Sequence, residues 1–345
     1  MTPKPPAPAA QPATIWLALI TVYLVWGSTY LAIRVIVDSG APPLLSMGAR
    51  FVVAGLLLGL VLVLRSGIGV LMVGWRAIGS AGLVGVLLLL GGNGAVAVAE
   101  QTVPSGLAAL MVAATPLWLV CLRLAAGDRP RRLSLAGTAL GFLGIAVLAR
   151  PGGQDGDVET WGLLLLVFAT VSWAVGSFYS SRLPMPGNAF VATMWEMTLG
   201  GSLMLLVGAL RGELDGFAVG EITGQAWLAL GYLVVFGSLL AFTAYVWLLG
   251  RAPISLTATY AYVNPVVAVI LGALILSEPV TIPILVGGAV VVLGVGLVVS
   301  IERPRRAAPP LLEPAGAAAG PAGGPAPGPV LEPDHKAPAT GSGQG

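Results

Sequence analysis

The sequence predicts an all-α integral membrane protein of ten transmembrane helices, arranged as two inverted repeats of five. Three observations predict it. Of the 345 residues, 57% are hydrophobic and only 9% are charged, whereas an average soluble domain carries about 25% charged residues. The apolar residues gather into runs of the length that crosses a bilayer, about 20 residues. The second half of the chain also repeats the first at one fixed offset.

A soluble reading fails on surface area. Single soluble cores stop growing near ~250–300 residues, so a chain this apolar could not bury what it carries. Glycine, at 48 residues, fits instead the close approach of membrane helices, which associate without a hydrophobic drive from lipid.

Cutting the chain at charges, prolines and polar clusters gives the elements in order. The first run, 15–37, is too long for a signal-peptide core and lacks a small-residue cleavage site followed by soluble sequence, so it is a retained helix. The second, 43–64, ends at Arg65, and Arg76 precedes the third, 77–100. A turn at Pro104 separates the third from the fourth, 105–124, because proline and a combined length of nearly 50 residues exclude one helix. Arg123 to Arg132 separate the fourth run from the fifth, 132–149, and the polar stretch holding Asp155, Asp157 and Glu159 precedes the sixth, 161–181. Arg182 leads to the seventh, 188–210, and Arg211 to Asp215 lead to the eighth, 224–249. Arg251 leads to the ninth, 254–277, and Glu278 with Pro279 to the tenth, 280–301. Residues 1–14 and the Pro/Ala/Gly-rich 303–345 carry few large apolar groups and are expected to be disordered tails. The domain division is therefore a first five-helix repeat over 15–150 and a second over 161–302.

Orientation follows from the loop cations. With a cytoplasmic N-terminus, the inner segments hold Lys4, Arg65, Arg76, Arg123, Arg129, Arg131, Arg132, Arg182, Arg251, Arg303, Arg305, Arg306 and Lys336. The outer segments hold Arg150, Arg211 and, at the helix end, Arg34. Both termini are thus expected in the cytoplasm.

The repeat has an offset of 149 residues: Gly27, Ser28 and Tyr30 fall on Gly176, Ser177 and Tyr179, and Pro104, Pro116 and Pro130 fall on Pro253, Pro265 and Pro279. Matched apolar residues could arise from composition, but three matched prolines are harder to obtain that way. Five helices per half is an odd number, so the second half enters the membrane inverted. That symmetry is characteristic of secondary transporters and gives alternating access a structural basis.

The chain resembles ten-helix permeases of the drug/metabolite transporter superfamily, in the EamA group. The resemblance rests on VWGSTYLAIR at 25–34, GARF at 48–51, GGNGAVAVAEQTVPSGLAAL at 91–110, GSLLAFTAYVWLL at 237–249 and TYAYVNPVVAVILGALILSEP at 259–279. It covers about residues 15–301 and is nearest to the YedA-like permeases, whose substrate it does not define. The family often has a Glu at the inner end of the fourth helix. This chain reads GDRP there, at 127–130, and keeps the Glu only in the second half, as Glu278. The resemblance implies export of amino acids or related metabolites, with efflux of foreign hydrophobic compounds or metabolite uptake as the alternative. It also implies a central cavity surrounded by helices one, three, four, six, eight and nine.

Helical spacing selects the faces that would line that cavity. These are Tyr23, Trp26 and Tyr30 on the first helix and Asn93 and Glu100 on the third. They are joined by Ser172 and Tyr179 on the sixth, Ser238 and Tyr245 on the eighth, and Tyr260 and Asn264 on the ninth. The alternative for the asparagines is hydrogen-bonded helix association. Pro116 and Pro265 are hinge candidates; each removes a backbone bond and frees the carbonyl four residues earlier, Val112 and Ala261. Arg50 and Glu196 each lie roughly 10–12 Å deep at about 1.5 Å per residue, and Arg50 reads as a structural charge. If transport is coupled to protons, Glu100 and Glu196 are the carboxylates that would carry them.

Other classes find little support. The only histidine, His335, lies in the tail, and Cys121 is the only cysteine, so no catalytic constellation, metal site or cofactor site is expected. No GxxxxGK[ST] motif is present for ATP-driven pumping. The expected partners are the lipid bilayer and a small-molecule substrate, not nucleic acid; an embedded sensor would need a folded soluble domain.

Overall fold

The computed structural model describes residues 12–149, 159–215, 217–249, 251–252 and 254–301. The expected tail 303–345 and most of 1–14 lie outside these residues, as do Arg150, Pro253 and the acidic residues Asp155 and Asp157. The described residues are all-helical. Eight helices are long and apolar enough to cross a membrane: α1 Pro12–Asp38, α2 Pro43–Ser66, α3 Trp75–Ala99, α4 Ser105–Ala125, α6 Thr160–Ser180, α7 Ala189–Leu210, α8 Gly224–Leu248 and α10 Ile282–Ile301. Two shorter apolar helices are α5 Arg132–Leu148 and α9 Tyr260–Ile275.

Within the described residues α1 already runs from Pro12, upstream of the expected 15. The ninth helix starts later than expected: Ile254–Thr257 is a separate turn, and the long helix starts at Tyr260. The fourth helix breaks after Val112 and resumes at Thr115, with Pro116 in its new first turn. The Val112 carbonyl is therefore not left free, since Thr115 Oγ1 donates to it at 2.8 Å. Pro265 lies inside α9.

α3 and α8 each contain a stretch of wider π-type turns, at Val86–Gly94 and Leu233–Leu240. α2 packs along α7 and α5 along α10. α1 packs on α8 and α9, while α6 packs on α3 and α4. α3 also meets α7, α8 meets α2, and α4 meets α9. Small residues permit these contacts. A Cβ on Gly85 would stand 2.4 Å from the Glu196 backbone oxygen, so α3 and α7 touch backbone to backbone. Outward rows such as Leu56, Leu60 and Leu64 of α2 and Leu285 and Leu293 of α10 are exposed, as a lipid-facing surface requires.

Carboxylates close two helix starts. Glu213, after α7, accepts from Leu44 N at 3.3 Å and Leu45 N at 2.9 Å in α2. Glu278, after α9, accepts from Ser105 N at 2.7 Å and Gly106 N at 3.0 Å in α4. Both satisfy amides that a helix cannot satisfy internally and place negative charge at the positive end of the dipole.

Candidate functional site

An aromatic cluster forms where α1, α8 and α9 meet. Trp26 stands 5.2 Å from Tyr245 and 5.2 Å from Tyr260, ring centre to ring centre, and the two tyrosines are 5.6 Å apart. The Trp26–Tyr260 and Tyr245–Tyr260 pairs meet edge to face, the arrangement the ring quadrupole favours. Trp26 Nε1 donates to the Gly237 carbonyl at 3.2 Å, which fixes the indole on the π-type stretch of α8. One turn away on α1, the Tyr23 hydroxyl bonds Thr259 Oγ1. Ser28 shares a 2.6 Å bond with the Tyr232 hydroxyl. The rings pack around a small buried group of Leu19, Val22 and Leu248. Spacing alone placed Tyr23 and Trp26 on one face of the first helix and Tyr245 and Tyr260 on faces of the eighth and ninth, and the structure packs all four round one buried group.

The remaining candidates are distributed differently. Tyr30 packs into the large buried cluster of α3, α4, α5, α6 and α10. Asn264 is 9% exposed, with its side-chain oxygen unpartnered. Ser172 donates to the Leu87 carbonyl at 2.8 Å and Asn93 Nδ2 to the Leu88 carbonyl at 3.4 Å. Both therefore satisfy the wider turns of α3, which disrupt the regular bonding ladder. Ser172→Ala would leave Leu87 O without that donor. The expected cost is about 1 kcal/mol, read as a lower thermal midpoint of the purified protein. Tyr179 stands apart, exposed at the end of α6 with its ring against Phe178.

The ionisable candidates differ in setting. Glu100 is fully buried, and neither carboxylate oxygen has a hydrogen-bond partner among the described residues. Beside it, Arg34 donates to the Glu100 backbone oxygen at 2.6 Å and to Val103 O at 3.2 Å, and Arg34 pairs with Asp38. Glu196 is half-buried on α7. Arg50 is 4% exposed; its Nε donates to Ser238 Oγ at 3.0 Å, and its guanidinium lies 4.6 Å from the Phe51 ring centre. No ion pair joins Arg50 to Glu196. Ser238 was selected as a path residue, but no sequence signal linked it to Arg50, because only the packing of α2 on α8 brings them together. Among the described residues, no group of three His, Cys, Asp or Glu could hold a metal ion.

The model of the EamA-like transporter family matches residues 13–150 and again 160–300. The chain belongs to the EamA-like transporter family. It is a multi-pass membrane transporter, similar to YedA-like permeases. It is 42% identical over 256 residues to the inner membrane transporter YedA of Escherichia coli K12, covering 74% of this chain and 80% of that one. It is 26% identical to the transporter YvbV of Bacillus subtilis, over 84% of this chain and 94% of that one. It is 27% identical to a probable amino-acid metabolite efflux pump of Salmonella typhimurium, over 85% and 97% respectively. A solved crystal structure shares the fold, with a TM-score of 0.56, 23% identity and coverage of 83% of this chain and 96% of that one.

Proposed function

We propose that this EamA-family chain is a secondary transporter of the bacterial inner membrane that exports amino acids or related metabolites by alternating access. Its ten membrane helices would form two inverted five-helix repeats, with both termini in the cytoplasm. One observation carries the reading: the helix pairings keep their pattern when α1–α5 are exchanged with α6–α10. α1 on α8 and α9 becomes α6 on α3 and α4, and α3 on α7 becomes α8 on α2. The two π-type stretches, at Val86–Gly94 and Leu233–Leu240, exchange as well. Two such halves can rock about a site between them. The amino-acid class draws on the name of the Salmonella relative, and the inner membrane on that of the E. coli relative.

On this reading the cluster of Trp26, Tyr245 and Tyr260 borders the path. Glu100, buried with both oxygens unpartnered among the described residues, is the leading site for an exchangeable proton, because a lone carboxylate charge at that position would be costly. Export of a panel of amino acids and small metabolites from expressing cells tests it. At least one compound should leave wild-type cells against its gradient, and Trp26→Ala should reduce that rate at least tenfold at equal membrane abundance. Glu100→Gln should remove the dependence of export on the proton gradient. If no compound moves in either direction while the protein is present in the membrane, the transporter mechanism fails; accumulation inside the cells would reverse the direction.

A further inference from the structure

Arg50 is a buried cation with no counter-ion among the described residues. It lies two turns into α2 and is 4% exposed. Of its five N–H donors, the Nε–H is bound by Ser238 Oγ, and Nη1 faces only the soft Met47 sulfur at 3.8 Å. Nη2 lies against Gly237, where a Cβ would come within 3.2 Å of it. The carboxylates of Glu213 and Glu278 are engaged at helix starts, and Asp38 and Asp128 are paired with Arg34 and Arg123. A guanidinium so placed is costly to keep charged inside a membrane protein, and a methionine would fill the same space without that cost.

The position of this cation gives it a use. Gly237 accepts the Trp26 indole N–H, and the next residue, Ser238, accepts from Arg50. A single dipeptide of α8 therefore bonds both Trp26 of the aromatic cluster and the guanidinium. A Cβ at Gly237 would meet Arg50 Nη2 at 3.2 Å and Thr29 Cγ2 of α1 at 3.1 Å, so the guanidinium edge lies beside the α1 turn that follows Trp26. The planar fork of donors matches a carboxylate bidentately and would gain the missing charge from it. We propose that Arg50 is the subsite for the carboxylate of the transported molecule, with Ser238 as the residue that positions the guanidinium. This rests on the transporter reading above and narrows it: the cargo carries a free carboxylate beside an apolar body.

The test uses the full-length protein purified in detergent. Its thermal midpoint is read with the common amino acids, their carboxamides and methyl esters, and simple mono- and dicarboxylates. Export of the same panel from cells is read in parallel. At least one free acid should raise the wild-type midpoint, and its amide and ester should not. Arg50→Gln should unfold at the wild-type temperature or above and show no response. Arg50→Lys keeps the charge but not the fork, so its half-saturating concentration should rise at least tenfold. Three results overturn the proposal: an amide as effective as its acid, an Arg50→Gln protein that still responds, or a wild-type protein that no acid stabilises. If Arg50→Gln does not fold, the Arg50→Lys response decides. Export of compounds lacking a carboxylate by both wild type and Arg50→Gln would leave the transporter reading standing and remove this subsite. Stabilisation by acids with no export of any compound would do the reverse.

Discussion

Gly294→Leu is expected to abolish stable insertion of the bundle, while Gly296→Leu on the same helix leaves it intact. A Cβ at Gly294 would fall 2.5 Å from Gly141 N, 2.7 Å from Gly137 O and 2.7 Å from Gly141 Cα. Each of these atoms is backbone of α5, so none can rotate aside; the helices themselves would have to separate. The same seam is tight again at Gly144, where a Cβ would stand 2.7 Å from Val291 N and 2.8 Å from Gly287 O. Separation gives up the dispersion contacts that hold membrane helices together, and lipid offers no hydrophobic penalty to oppose it. Overpacking typically costs about 1–3 kcal/mol, and a leucine driven into backbone along the α5–α10 seam belongs at or above the top of that range. Gly296 has nothing within 4 Å of its would-be Cβ, which makes it a control for hydrophobicity and helix propensity. Membrane yield and a monodisperse profile after detergent extraction are the readouts. Equal behaviour of the two variants would mean that the seam can open without loss.

The helix runs were legible in the sequence because hydrocarbon thickness fixes their length and apolarity, and because the charges and prolines that end them are local signals. What the sequence hid was relational. Spacing put Ser172 and Tyr179 on one stripe, but it could not show that Ser172 would bond the Leu87 carbonyl while Tyr179 reached the exposed end of α6. The π-type stretches leave no compositional trace, since a backbone bond that reaches one residue further changes neither hydropathy nor charge. Pro116 announced a break in α4, but the hydroxyl of Thr115, which takes up the Val112 carbonyl, had no part in the argument from proline alone. The aromatic cluster was half legible: each ring sits on a recognisable helix face, whereas their mutual contact depends on α1 lying between α8 and α9. For Arg50, counting residues gives the depth but not the contact with Ser238, which depends on α2 packing on α8.

Removing the carboxylate of Glu278 should open one end of the bundle. α4 starts at Ser105, directly after Pro104, and Ser105 is fully buried; water cannot satisfy its first amides. Glu278 does so from the segment after α9, accepting from Ser105 N at 2.7 Å and Gly106 N at 3.0 Å. The chain accommodates this contact at two positions. Ser277 takes the left-handed conformation, φ 55°, at a cost of about 1–2 kcal/mol for a residue with a side chain. Gly272 leaves room where a Cβ would stand 2.4 Å from Glu278 Oε2. Arg34 braces the same end by donating to the backbone of Glu100 and Val103. Glu278→Ala would orphan two buried donors, each worth about 1–3 kcal/mol when left unpaired, and would remove a tie between α4 and the segment following α9. The bundle end is then expected to loosen. In a Cys121→Ser background, a cysteine replacing the fully buried Val103 reports on it through a membrane-impermeant maleimide. Labelling from the side assigned as external should be at least tenfold faster in Glu278→Ala. In Glu278→Gln, which keeps one acceptor oxygen but no charge, the increase should be smaller. Equal labelling rates in all three proteins would assign closure of this end to packing alone. A faster rate accompanied by lost export would mean that the Glu278 contact must form and break during transport.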